Sequence, residues 1–199
     1  HIDTLDDVAK IYCLGDVCGY GPDPEAVVDR ISERCEWCLM GNHDHALLHA
    51  PIGFNPVAAG AIHCQRTAME PGTWRKKKKK FRWQFLQTLP EEKIEGDEHF
   101  VHASPRDKIF EYILPEDVNH NPEKLEAIFA QVACRCYVGH THRPGVITED
   151  MKWYTEKDLG MEYEFKENEK LLINVSSVGQ PRDRDPRACY AVLSESGIR

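Results

Sequence analysis

Hydrophobic positions in this chain fall in short runs that stop at a glycine or a polar cluster. Residues 11–14 form an apolar run that ends in Gly15-Asp16, the pattern of a buried strand delivering a carboxylate at its carboxyl end. A turn-rich loop, Gly19-Tyr20-Gly21-Pro22-Asp23-Pro24, leads into a helix opened by Pro24. Asp23 is its N-cap candidate, and Ala26, Val27, Val28 and Ile31 form an apolar stripe. Residues 35–40 predict a second strand, which ends in Gly41-Asn42-His43-Asp44. Alternation of strand, loop, helix and strand is the signature of an α/β unit.

Further along, residues 57–69 predict a helix, and Pro71-Gly72 breaks it. The basic run 75–80 precedes residues 85–89, which complete another helix before Pro90. Such a run is either a solvated helix face or a patch that seeks phosphate. The second half returns to strands. Residues 99–101 lead to His102, and 134–138, after a helix at 122–132, lead to Gly139-His140-Thr141-His142. Residues 171–175 and 188–193 complete the set of predicted strands. With no internal repeat and no linker, one α/β domain over 1–199 is the economical organisation.

Composition narrows the function classes. A hydrophobic fraction of 41% with 29% charged residues is ordinary for a globular protein. A formal charge of −8 argues against stable nucleic-acid binding, because phosphate backbones favour a basic surface. It leaves room for a phosphorylated substrate, since bound metal makes a cleft positive on an acidic protein. No apolar run approaches the roughly 18 residues of a membrane span, so no membrane partner is expected. The eight cysteines are scattered through apolar segments and read as free thiols of a cytoplasmic protein. Cys35 and Cys38 are spaced as a redox pair or as half of a zinc clip, with Cys134 and Cys136 as the other half.

Asp16, Asn42, His102 and the pair His140/His142 each follow an apolar strand. Ligands gather beyond the carboxyl ends of strands in open α/β sheets, so these positions can converge on one cleft. Imidazole with carboxylate suits transition metals better than calcium or magnesium. His140 and His142 share one side if their segment is extended, and in a tight loop they face two neighbouring ions.

These motifs resemble those of the calcineurin-like metallophosphoesterases, in particular the compact prokaryotic phosphodiesterase and protein-phosphatase-like branch. The matching segments are Gly15-Asp16-Val17-Cys18-Gly19-Tyr20-Gly21, Gly41-Asn42-His43-Asp44, Val101-His102-Ala103-Ser104-Pro105 and Gly139-His140-Thr141-His142. The stretch from Asn174 to Arg182 is similar to the family's closing loop. The resemblance implies a sandwich of two mixed β-sheets flanked by helices. It also implies two divalent ions drawn from Mn, Fe, Ni, Co or Zn. Asp16 would bridge them, Asn42, His102 and His140 would complete one, and His142 would bind the other. His43 would act as general acid, or as a charge stabiliser for the leaving oxygen. The implied reaction is hydrolysis of a phosphomonoester or phosphodiester by metal-bound hydroxide, on a small phosphorylated molecule or a phosphoprotein. Arg143 either holds a phosphate oxygen or pairs with a surface acid, and Asp44 either orients His43 or caps the following helix.

Two departures from the family qualify this picture. The family's first strand, ending in Asp-x-His, is not present, and His1-Ile2-Asp3 does not supply it. The expectation is that the domain is N-terminally incomplete and its parent carries the motif; otherwise a non-catalytic binding protein becomes the alternative. Eukaryotic-type serine/threonine phosphatases have Asp-Arg-Gly where this chain has Gly19-Tyr20-Gly21, which favours the phosphodiesterase-like branch over protein phosphatase activity.

Overall fold

The structure, a computed structural model, describes residues 4–5, 8–72 and 77–199. His1, Ile2 and Asp3 lie outside the described residues, as do Arg75 and Lys76 of the basic run. The chain divides into two compact units, His1–Pro90 and Glu91–Arg199. Both are built from mixed elements of the expected α/β class.

In the N-terminal unit, β1 (Tyr12–Cys13) pairs in parallel with β2 (Trp37–Cys38), through α1 (Pro24–Arg34). The Tyr12 and Trp37 rings stack across this pair at 4.3 Å. β2 is shorter than the predicted 35–40 strand. Pro24 and Val28 are the buried residues of α1, whereas Val27 is 42% exposed. The expected stripe is thus corrected: at about 100° per residue, positions 24, 28 and 31 share a face that 26 and 27 leave. Asp23 occupies the N-cap position, but its side chain makes no capping bond.

Three more helices follow: α2 (Asn42–Leu48), α3 (Pro56–Met69) and α4 (Lys77–Gln87). The Asn55 side chain caps α3 by accepting the Ala58 N–H at 3.0 Å. Ala58, Ile62, Gln65 and Met69 form its buried face. Arg66 of α3 donates to the carbonyls of Leu47, Leu48 and His49, which satisfies the last turn of α2. On α4, Arg82 forms a bidentate pair with Asp29 (2.7 Å on both arms) and a further bond to Glu25. That pair locks α4 to α1, because Glu25 and Asp29 lie one turn apart.

The C-terminal unit is organised by a six-stranded mixed sheet of order β3-β4-β5-β9-β6-β7. Its elements in chain order are β3 (Glu92–Glu95), β4 (Glu98–Val101), α5 (Asp117–His120), α6 (Pro122–Phe129), β5 (Arg135–Val138), β6 (Gly145–Thr148), β7 (Lys152–Tyr154), β8 (Tyr163–Glu164), β9 (Leu171–Asn174) and β10 (Gly197–Ile198). β4, β5 and β9 run parallel as neighbours. Val101, Cys136, Val138, Ile147 and Leu172 share one face and pack with Leu125, Ile128 and Phe129 of α6 and with Val132. Phe100 and Tyr137 point the other way and stack at 4.8 Å, as period-two alternation requires. The predicted strand at 188–193 does not form. Only Leu193 makes an isolated bridge, to Ile198 of β10, and β10 pairs with β8. Among the described residues no helix is long and apolar enough to cross a membrane.

Candidate metal centre

In the N-terminal unit the chain leaves β1 through two left-handed residues, Gly15 (φ 97°) and Asp16 (φ 56°). A non-glycine residue held at positive φ costs of order 1–3 kcal/mol, and such strain concentrates at functional sites. Asp16 is held by the start of α2, where the His43 N–H donates to its Oδ1 at 2.9 Å. A Cβ at Gly41 would overlap the backbone nitrogen and Oδ1 of Asp16, so only glycine fits there. Asn42 and His43, at the start of α2, are both buried. The His43 ring has two aromatic neighbours, Tyr20 at 5.2 Å and Phe54 edge-on at 4.9 Å.

Asp44 is fully buried, and its carboxylate accepts the N–H groups of Gly41 (3.1 Å), Val17 (3.3 Å) and Cys18 (2.9 Å). It therefore caps α2 and also ties down the segment after Asp16, so the capping alternative is the one observed.

In the C-terminal unit, His102 follows β4 and His140 follows β5, the neighbouring parallel strand. The Gly139 N–H donates to the His102 carbonyl at 2.9 Å, which keeps the two strand ends together. His102 Nε2 lies 3.1 Å from His140 Nδ1. His140 Nε2 faces the Phe110 carbonyl at 3.2 Å. A carbonyl only accepts, so this nitrogen carries the proton and Nδ1 carries the lone pair. His142 Nδ1 faces the Gln180 carbonyl at 2.6 Å, which by the same reasoning puts its lone pair on Nε2. Both tautomers are thus set by main-chain carbonyls, the usual way in which ligating histidines are oriented.

His140 (φ 57°) and His142 (φ 58°) are both left-handed, so their segment is the tight loop rather than the extended alternative. The stretch 174–182, which the sequence likens to the family's closing loop, holds this segment. Asn174, at the end of β9, donates to the Gly139 carbonyl (2.8 Å) and to Thr141 Oγ1 (2.7 Å). Ser176 donates to the His142 carbonyl, and the Arg182 guanidinium reaches the His140 carbonyl at 3.5 Å. Asn174, Ser176 and Ser177, polar positions straight after an apolar strand, carry the signal for it. Arg143 pairs with Glu116 at 2.9 Å, with both side chains substantially exposed.

The His102–His140 pair fits a metal ion. Two cis ligands at about 2.0–2.1 Å from one ion have nitrogens about 2.9–3.4 Å apart, and the observed 3.1 Å lies in that range. Metal-capable His, Cys, Asp and Glu side chains group at His102 and His140, and among the described residues no cysteine joins such a group. All eight cysteines are free thiols. Burial is the leading cause that pushes up Cys18 and Cys136, while Cys38 is pushed up by its bond with Cys13 and then by burial.

A mixed-sheet α/β fold with histidines at adjacent parallel strand ends places groups that could hold a metal ion at the carboxyl edge of the sheet. The chain belongs to the calcineurin-like phosphoesterases, whose family model matches residues 2–173. It is 34% identical to the uncharacterized protein MJ0912 of Methanocaldococcus jannaschii, over 96% of this chain and 74% of that protein. The metallophosphoesterase of Sphaerobacter thermophilus is similar in structure, with a TM-score of 0.74 at 30% identity, over 99% of this chain and 79% of its own. A hypothetical protein of Pyrococcus horikoshii, PH1004, shares the fold at a TM-score of 0.65 and 15% identity, over 94% of this chain and 72% of its own.

Proposed function

We propose that this protein hydrolyses phosphoesters at a binuclear metal centre. Asp16, Asn42, His102 and His140 would hold one ion, and Asp16 and His142 would contribute to a second. The observation that carries the reading is the buried His102–His140 pair at 3.1 Å, with the proton of His140 assigned by the Phe110 carbonyl. The tight loop supports two ions rather than one, because Nδ1 of His140 turns to His102 while the His142 ring is anchored on Gln180. Divalent ions there would polarise the phosphoryl oxygens and lower the pKa of water. Asp16 suits a bridging role, since a carboxylate offers two oxygens and offsets part of the metal charge. Asn42 adds an oxygen ligand without adding negative charge.

His43 is the proposed general acid, protonating the oxygen that leaves phosphorus. The substrate class we infer is a small phosphomonoester or phosphodiester. The segment Gly19-Tyr20-Gly21 supports this over a phosphoprotein, because it lacks the aspartate and arginine that eukaryotic-type serine/threonine phosphatases carry there. The expected setting is the cytoplasm, with no stable nucleic-acid or membrane partner.

The test is a panel of p-nitrophenyl phosphate, bis-p-nitrophenyl phosphate, nucleotides and phosphopeptides. Full-length protein is assayed with Mn, Ni, Co, Fe or Zn, beside Asn42→Ala. Metal-stimulated turnover that Asn42→Ala lowers by at least about 100-fold is expected, given the scale of metal catalysis. Turnover that survives chelation, or none with any metal, would sink the reading.

A further inference from the structure

Gln65 is a polar side chain on the buried face of α3, only 6% exposed. Its Oε1 accepts the Gly19 N–H at 2.8 Å, while its Nε2 donates to the Gly19 carbonyl at 2.5 Å and the Gly21 carbonyl at 2.6 Å. One amide thus uses an acceptor and both donors on a three-residue segment. The reverse orientation would set an oxygen against two carbonyls, so the network itself fixes the amide.

The clamped segment is the one beside His43. Gly19 (φ 135°) is close enough that a Cβ would meet His43 Nδ1 at 2.8 Å, and the Tyr20 ring is 5.2 Å from the imidazole. The Tyr20 hydroxyl accepts from Asn55 Nδ2 at 3.4 Å, and Asn55 is also the N-cap of α3. α3 therefore grips the 19–21 segment at both Gln65 and Asn55. Phe54, just upstream of the same helix, packs edge-on against the imidazole at 4.9 Å.

We propose that Gln65 is a positioning residue for His43, acting through Gly19 and Tyr20. The proposal rests on the reading of His43 as general acid. In that step a water oxygen bonds to phosphorus and the bond to the leaving oxygen breaks. The leaving oxygen takes its proton from His43, and the water's proton passes to solvent. A ring held in one orientation delivers that proton along the breaking bond, and a loosened 19–21 segment lets it turn away.

Gln65→Met keeps the volume and removes all three bonds, and Gln65→Glu keeps the shape but sets oxygen against two carbonyls. Both are assayed in the full-length protein against a series of esters with 2,4-dinitrophenyl, phenyl and methyl leaving groups. A methyl leaving group needs the acid and a dinitrophenyl group does not. The expected result is a roughly 10–100-fold fall in kcat for the methyl ester, within the range general acids contribute. KM should stay within about two-fold, and the dinitrophenyl ester should lose less than about three-fold. In Gln65→Met, which removes the acceptor of the Gly19 N–H, amide exchange at Gly19 should rise about ten-fold or more while the helices keep their protection.

An equal fall across the series overturns the positioning role, because loss of folded protein affects all leaving groups alike. Unchanged exchange at Gly19 overturns the clamp whether or not the protein turns over any ester. A wild type without turnover overturns the proposed function instead, and the exchange measurement then judges the clamp alone. If Gln65→Met does not fold, Gln65→Asn, which keeps the amide but falls short of the segment, decides by the same two measurements.

Discussion

Oδ1 of Asp16 accepts the backbone N–H of His43 at 2.9 Å, so the carboxylate that ends the first strand is fixed by the residue proposed as general acid. Gly41 makes this approach available, since a Cβ there would overlap Asp16.

Gly41→Ala should therefore displace Asp16 rather than merely crowd it. Overpacking of this kind costs about 1–3 kcal/mol. Metal affinity should fall at least ten-fold, by calorimetric titration, together with the urea midpoint. Gly60→Ala is the matched control, because Gly60 lies inside α3 with nothing within 4 Å of the added methyl. That substitution should stabilise the protein by about 0.5–1 kcal/mol. A Gly41→Ala protein that binds metal as the wild type does would refute the argument.

Strand ends were legible because burial and chemistry meet there: residues 11–14, 99–101 and 134–138 are apolar segments, broken only by His99 and Arg135, and a candidate ligand follows each. Where the outcome depended on distant partners, the sequence was silent. Nothing local requires His140 and His142 to be left-handed. The bonds that hold them there come from Asn174 and Ser176, more than thirty residues away. Residues 188–193 are apolar enough for a strand but find no ladder partner beyond the single Leu193 bridge. The reverse happened at β6, which is buried throughout and so shows no alternation, and which begins at a glycine. Asp44 was legible as a helix cap, but its bonds to the Val17 and Cys18 N–H groups were not, nor was Gln65 as a clamp, because bonds to distant main-chain groups leave no side-chain pattern to read.

Asn174→Ala should weaken metal binding without touching a proposed ligand. The side chain holds Gly139 and Thr141 on either side of His140, and its Oδ1 accepts the Ser176 N–H at 2.9 Å. Loss of such supporting bonds typically lowers metal affinity 10–100-fold. Calorimetric titration with Mn and Zn reads this directly. Affinity within two-fold of wild type would mean that the strands alone set the loop.

Asp117 makes the stability of the C-terminal unit depend on pH. Burial raises its pKa, but the Lys124 ammonium (2.6 Å), the Leu114 N–H (2.7 Å) and the Asn121 amide (2.9 Å) outweigh this and hold it below the ordinary carboxylate range. A depressed folded value means the stabilisation is fully present above the unfolded value of about 3.9 and is lost as pH falls through the lower folded value. The stability difference between wild type and Asp117→Asn should thus be flat above about pH 5 and shrink below about pH 4. Urea unfolding between pH 3 and 7 measures it. A difference that stays constant to pH 3 would show that Asp117 contributes through shape alone.

The cysteines should behave as a graded set of thiols and not as a redox pair. Cys64 is exposed, whereas Cys35 is partly buried and Cys38 is buried beside Cys13 across the β1–β2 ladder. Burial, and then the neighbouring Cys13, push the Cys35 thiol up to about 11, against a smaller opposing effect of Arg34. At pH 8 only about one Cys35 in a thousand would be thiolate, and the thiolate is the reactive form. Alkylation of the native protein at pH 8, mapped by peptide mass spectrometry, should label Cys64 first, and Cys35 should lag by at least about ten-fold. Cys38 should label only after unfolding. Equal labelling of Cys35 and Cys64, or a Cys35–Cys38 disulfide formed in the folded protein by mild oxidant, would restore the redox reading of this pair.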